Sequence, residues 1–176
     1  MHGVSSNGLM ISARTTSAEE TRALAAALAD IVVPGDLVVL SGDLGAGKTA
    51  FCQGFGSALG VTGPITSPTF TLHHRYRGRV EVNHIDVYRF DQLDEVVDLG
   101  LAELLDSDAV TVIEWGDTIR PALPADYLEV SLQLGEGDDD RTLVLRPVGA
   151  RWLARSRALG EVAAHWPVTP TEAGAC

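Results

Sequence analysis

The stretch GDLGAGKT, residues 42–49, constrains this chain more than any other. Gly42, Gly47, Lys48 and Thr49 satisfy the pattern G-x-x-x-x-G-K-[ST] in full. DLVVL ahead of it reads as a buried strand, and KTAFCQGFGSAL, which begins with its last two residues, reads as a helix. Glycines let such a loop curl, so that backbone N–H groups and the helix N-terminus converge on an anion. The predicted cradle comprises Asp43, Leu44, Gly45, Ala46, Gly47, Lys48, Thr49 and Ala50. Within it Lys48 reaches β- and γ-phosphates and the Thr49 hydroxyl meets Mg²⁺.

The flanking sequence predicts an α/β domain. LMISART reads as a first strand, and the helix after it starts at Ser17, with Glu20 three residues on as a capping box. Leu24, Leu28 and Ile31 share one face of that helix. The second helix ends near Gly60, and GVTGPITSPTF has the composition of a loop. Two hairpins follow from alternation and turn residues, one around residues 77–79 and one around the acidic GEGDDD turn. They bring antiparallel strands into the sheet. LDEVVDLGLAELLDSD reads as an acidic helix interrupted at Gly100, and AVTVIEW as a central strand. GARWLARSRALGEVAAHW predicts one amphipathic helix with Arg151, Arg155 and Arg157 on its polar side, followed by a disordered tail. The division is therefore a domain over residues 1–148 and a C-terminal helix with flexible tail over 149–176.

Composition narrows the function. Thirteen basic against 24 acidic residues give a net charge of −11, which disfavours unaided grip on nucleic acid. Arg75, Arg77 and Arg79 alternate, as the polar face of a hairpin does. No apolar run is long enough to span a bilayer, no secretory signal is evident, and two cysteines make no disulfide framework. A cytoplasmic protein is expected.

Phosphoryl transfer needs more than a cradle, because positioning and charge stabilisation carry most of the catalysis. Glu114 closes an apolar strand and is a candidate metal-holding carboxylate. Asp86 also closes a strand and is a candidate to hold metal or orient water. The hydroxyls of Thr66, Ser67 and Thr69 lie in the TSPTF loop, which by composition is a plain turn. His73, His74 and His84 have no metal-ligand spacing. There is no N-K-x-D segment of the kind a typical GTPase carries, so adenine is the expected base. A small-molecule kinase is the less favoured alternative, since no arginine-rich lid follows the phosphate helix.

GDLGAGKT, SPTFTL, HIDVYR and VIEW, in this order and spacing, resemble the TsaE family, bacterial P-loop ATPases of tRNA threonylcarbamoyladenosine formation. The resemblance covers roughly residues 9–147. It implies a three-layer P-loop NTPase-like fold with a mixed central sheet. It also implies binding and hydrolysis of ATP with Mg²⁺, weak alone and coupled to TsaB-like and TsaD-like proteins, with tRNA engaged only through that complex. Carried over by motif, Lys48 contacts phosphates, Thr49 and Glu114 hold the metal, and Asp86 activates the attacking water. Thr69 is a switch residue near the γ-phosphate. Trp115 walls the site or packs. Thr16 to Ala18 and the loop before Arg141 border the adenine. An ATP-gated binding module with incidental hydrolysis is the alternative from another class. The residues beyond 149 depart from the bacterial pattern, as a packed helix with a disordered tail or as a contact for partners.

Overall fold

A computed structural model describes residues 8–68, 73–87, 98 and 100–168. Strand β1 (Ile11–Thr15) leads to helix α1 (Ala18–Ala29), then β2 (Leu37–Ser41) and α2 (Lys48–Ala58). The hairpin β3 (His73–Arg77) and β4 (Glu81–Asp86) follows, then α3 (Leu101–Leu105), β5 (Val110–Glu114) and a 3₁₀ segment (Gly116–Ala122). The second hairpin is β6 (Tyr127–Leu134) and β7 (Arg141–Val148), and α4 (Ala150–Leu153) and α5 (Ser156–Ala163) close the chain.

These strands form one seven-stranded sheet in the order β1-β7-β6-β2-β5-β4-β3. The inner strands β6, β2, β5 and β4 run parallel, the hairpins add antiparallel β7 and β3, and β1 pairs antiparallel with β7 at the far edge. β2 is buried along its whole length, as a parallel strand covered on both faces must be. Its alternation divides the interior. Val38 and Leu40 point into a core with α1 and α2, whereas Leu37 and Val39 point into a second core with Leu101 and Ile119. The result is the expected three-layer, P-loop NTPase-like α/β fold with a mixed sheet.

Helix α1 starts as predicted, with the Ser17 side chain accepting from the Glu20 N–H at 3.1 Å. Glu20 does not close the box on Ser17. Its carboxylate instead takes the backbone N–H and the hydroxyl of Thr16, at 2.6 and 3.0 Å. The arginine trio lies on an exposed hairpin face: Arg75 pairs with Glu81, and Arg79 donates to the Ala29 carbonyl.

The C-terminal segment differs from the single helix expected. It breaks into α4 and α5 at Ala154 and Arg155, and Arg155 leaves the polar face. Its guanidinium grips the buried Asp36 carboxylate at 2.5 and 3.2 Å and stacks over Trp152, 4.4 Å from the ring centroid. Asp36 precedes β2 and also accepts the Val33 N–H at 2.8 Å. A buried carboxylate needs a cationic, hydrogen-bonding partner, and satisfying Asp36 overrides the continuity of the helix. Trp152, Leu159 and Ala163 sit in the same core as α1 and α2.

Helices α1 and α2 touch at Gly54, where an added Cβ would lie 2.1 Å from the Arg22 carbonyl oxygen and 2.5 Å from its Cα. Both obstacles are backbone, so a helix must move. Gly54→Ala therefore sets a helix-propensity gain of about 1 kcal/mol against an overpacking cost of roughly 1–3 kcal/mol. We expect a net loss of stability in urea unfolding; a gain would mean that the helices are not in close contact there.

Candidate active site

The glycine loop is shaped by backbone that side chains resist. Gly42 has φ 140°, and a Cβ there would lie 2.5 Å from the Leu132 carbonyl oxygen. Gly47, at φ 104°, heads α2 without a side chain to cap it, so the first N–H groups of the helix face the loop. Arg141 straps the loop from β7, donating to the carbonyls of Gly45 and Ala46, each at 3.1 Å.

Lys48 folds back over this loop. Its ammonium donates to the carbonyls of Gly42 at 2.6 Å and Asp43 at 3.0 Å, and it lies 3.9 Å from the Trp115 ring centroid. Burial holds the ammonium below the usual lysine range, and the carboxylates of Glu114, Asp86, Asp43 and Asp117 oppose that effect. Trp115 has φ 64°, the one positive φ outside glycine among the described residues. That conformation costs about 1–2 kcal/mol. It is held by the Trp115 N–H bond to the Leu40 carbonyl at 2.8 Å and by the ring's place against Lys48.

Parallel pairing supplies the carboxylates. Leu40 of β2 and Asp86 of β4 both register with Glu114 of β5, so the ends of the three strands form one row below the loop. Asp86 and Glu114 are both buried. The Ser67 hydroxyl lies 3.0 Å from Asp86 Oδ2 and 3.3 Å from Glu114 Oε2. Its single proton serves one of these acceptors at a time. Behind Glu114, His84 Nε2 lies 2.8 Å from Oε2 and 3.5 Å from the Cys52 sulfur. Burial pushes the Cys52 thiol well up, helped by Glu114 and Asp86, so it stays protonated.

Leu44, Gly45, Gly47, Lys48, Thr49, Ser67, Asp86, Glu114 and Trp115 line one cavity of about 350 Å³. Two carboxylates and two hydroxyls facing one space form an all-oxygen set, which suits a hard cation such as Mg²⁺. Lys48, Thr49, Glu114 and Asp86, foreseen from the sequence, thus lie around one space. Ala18 and Arg141 also come together, lining a small recess with Gly47 and Ala50. Thr16 is bound to Glu20 instead of lining that recess. Thr69 lies outside the described residues.

Sequence reasoning undervalued Ser67, grouped with its loop as a plain turn, and passed over His84. Their signal was geometric. His84 stands two residues before Asp86 on a strand, hence on the same face, and Cys52 is one helical turn beyond Lys48. Which faces meet depends on the strand order.

A family model for the threonylcarbamoyl adenosine biosynthesis protein TsaE matches residues 15–143. The chain is 42% identical over 140 residues to the tRNA threonylcarbamoyladenosine biosynthesis protein TsaE of Bacillus subtilis, covering 79% of this chain and 87% of that protein. The protein of the same name from Streptomyces coelicolor is 41% identical over 138 residues, with 74% and 93% covered. The crystal structure of Bacillus subtilis YdiB superposes with a TM-score of 0.76 at 34% identity, spanning 92% of this chain and 99% of the other. Loop, carboxylate row and strand order thus accompany a match along most of the sequence, and the chain belongs to the TsaE family.

Proposed function

We propose that this chain is a Mg²⁺-dependent ATPase that serves as an accessory subunit in threonylcarbamoyladenosine modification of tRNA, working in the cytoplasm on a complex of TsaB-like and TsaD-like proteins. The observation that carries this reading is the shared cavity of Lys48, Thr49, Asp86 and Glu114 beneath the glycine loop. Membership of the family supplies the pathway, since its curated relatives bear that name.

In this reading the N–H groups of residues 43–50 bind the β-phosphate, and Lys48 exchanges its loop carbonyls for phosphate oxygens. Thr49 and Glu114 would hold Mg²⁺, which would supply neutralisation of phosphate charge. The Asp86 carboxylate orients the attacking water and accepts its proton. The recess at Ala18 and Arg141 takes the adenine, and Thr69 responds to the γ-phosphate. The net acidic surface leaves tRNA to the partners.

Hydrolysis by the purified chain, alone and with TsaB-like and TsaD-like proteins, tests the proposal. We expect low turnover alone and stimulation in the mixture. Lys48→Ala should weaken ATP binding about 10- to 100-fold, the value of one or two charge-assisted hydrogen bonds, and abolish the stimulation. Asp86→Asn should behave differently, retaining ATP binding while turnover falls by roughly 10²–10⁴. Nucleotide-dependent association with the partners that persists without any stimulated turnover would instead support an ATP-gated binding module.

A further inference from the structure

Behind the carboxylate pair lies an imidazole with no part in the chemistry above. His84 is 2% exposed, with Nε2 at 2.8 Å from Glu114 Oε2. Its Nδ1 is the only buried side-chain polar atom without a hydrogen-bond partner among the described residues. This asymmetry selects a tautomer. A proton on Nδ1 would bury an orphaned N–H and turn the Nε2 lone pair against a carboxylate oxygen. A proton on Nε2 makes a charge-assisted hydrogen bond and leaves only a bare lone pair in the core, the better tolerated defect.

The same atoms invite another reading. Cys52 Sγ, His84 Nε2 and Glu114 Oε2 lie within 4.8 Å of one another, a plausible donor set for zinc. One observation opposes it: metal-bound histidines donate their second N–H to an acceptor, and Nδ1 has none.

We propose that His84 is a positioning residue, its Nε2–H fixing the Glu114 carboxylate in the orientation in which it meets the metal–nucleotide; this rests on the metal-holding role of Glu114 proposed above. A glutamate rotates about three bonds, and neighbouring carboxylates repel. Glu114 stands beside Asp86 in the register and needs a donor to choose one rotamer. An arginine would do this by neutralising the carboxylate. A neutral imidazole does it while leaving the negative charge for the cation. Ser67 shares its one proton between Asp86 and this oxygen, with Asp86 the nearer acceptor, so the standing donor to Oε2 is His84.

The test uses nucleotide binding as well as turnover. A fluorescent ATP analogue is titrated into the full chain, in Mg²⁺ and in EDTA, for the unsubstituted protein and for H84Q, H84N and C52A. Glutamine carries an amide N–H to about the position of Nε2; asparagine is equally polar but stops near Nδ1. H84N should lose about tenfold or more of the Mg²⁺-dependent gain in affinity, the usual effect of removing a group that orients a metal ligand. It should also need more Mg²⁺ for half-maximal hydrolysis. H84Q should recover most of both, C52A should resemble the unsubstituted protein, and affinities in EDTA should be alike.

Equal Mg²⁺ dependence in H84N and H84Q, with only thermal stability changed, would reduce His84 to packing and overturn the proposal. Tight stoichiometric Zn²⁺ binding lost in C52A would replace it with the metal site. An unsubstituted protein that gains no affinity from Mg²⁺ would bring down the metal-dependent function itself, and this inference with it.

Discussion

The pairing of β4, β5 and β2 in parallel register decides where the chemistry lies. Leu40, Glu114 and Asp86 stand in one row across three strands, and the glycine loop leaves β2 directly beyond that row. A one-residue slip of β4 or β5 would turn Asp86 or Glu114 to the other face, because strand side chains alternate. Burial on both faces guards against it. Val38, Leu40, Val110, Val112 and Val82 fill the core with α1 and α2, while Leu37, Val39, Ile113 and Ile85 fill the other. The hydrophobic alternation that folds the sheet thus also aims both carboxylates toward α2, where Lys48 begins.

The fold and the convergence of half of the candidate site residues were legible in the sequence because their determinants are local. A glycine loop between an apolar strand and a helix announces itself within twenty residues, and a carboxylate closing an apolar run marks a strand end. The hairpins and the capping serine are likewise matters of neighbours in the chain. What stayed hidden depends on contacts between distant segments. Nothing near Arg155 in sequence reveals Asp36, 119 residues away, and helical periodicity alone made Arg155 one more polar residue. His84 looked like a histidine without partners until β4 was placed beside β5 and α2 across them. Glu20 bonding Thr16 in place of Ser17 shows the same limit at one-residue scale, since a capping signal locates the turn but not which N–H the carboxylate selects.

The buried carboxylates fall into two groups by the partners they keep, and this separates scaffold from chemistry. Asp36 is clamped by Arg155, and Glu129 stands between Arg120 and Arg146. Arginine forms fixed, permanently charged forks, so these acids are neutralised in place. One pins the start of β2, and the other ties the segment after Trp115 to β6 and β7. Breaking either would leave an uncompensated charge, which typically costs about 3–5 kcal/mol. Both lie away from the cavity and act as fixed points on either side of it.

Glu114 meets another kind of partner. It receives a hydrogen bond from an imidazole and shares a serine hydroxyl with Asp86, while the nearby cation is Lys48. Lysine is a compact point charge on a flexible stem, and here it is engaged with two loop carbonyls and an indole ring. Hydroxyl and imidazole donors orient a carboxylate without cancelling it, so the row faces its charge into a cavity lined by the glycine loop and the start of α2. If the loop binds phosphate as proposed, an acidic row below and an anion-binding loop above favour a ligand that is cationic on one side and anionic on the other. A metal–nucleotide has that polarity, and a bare phosphate or a bare metal ion has only half of it. The arginine-clamped acids could not serve in this way, because their charge is already matched.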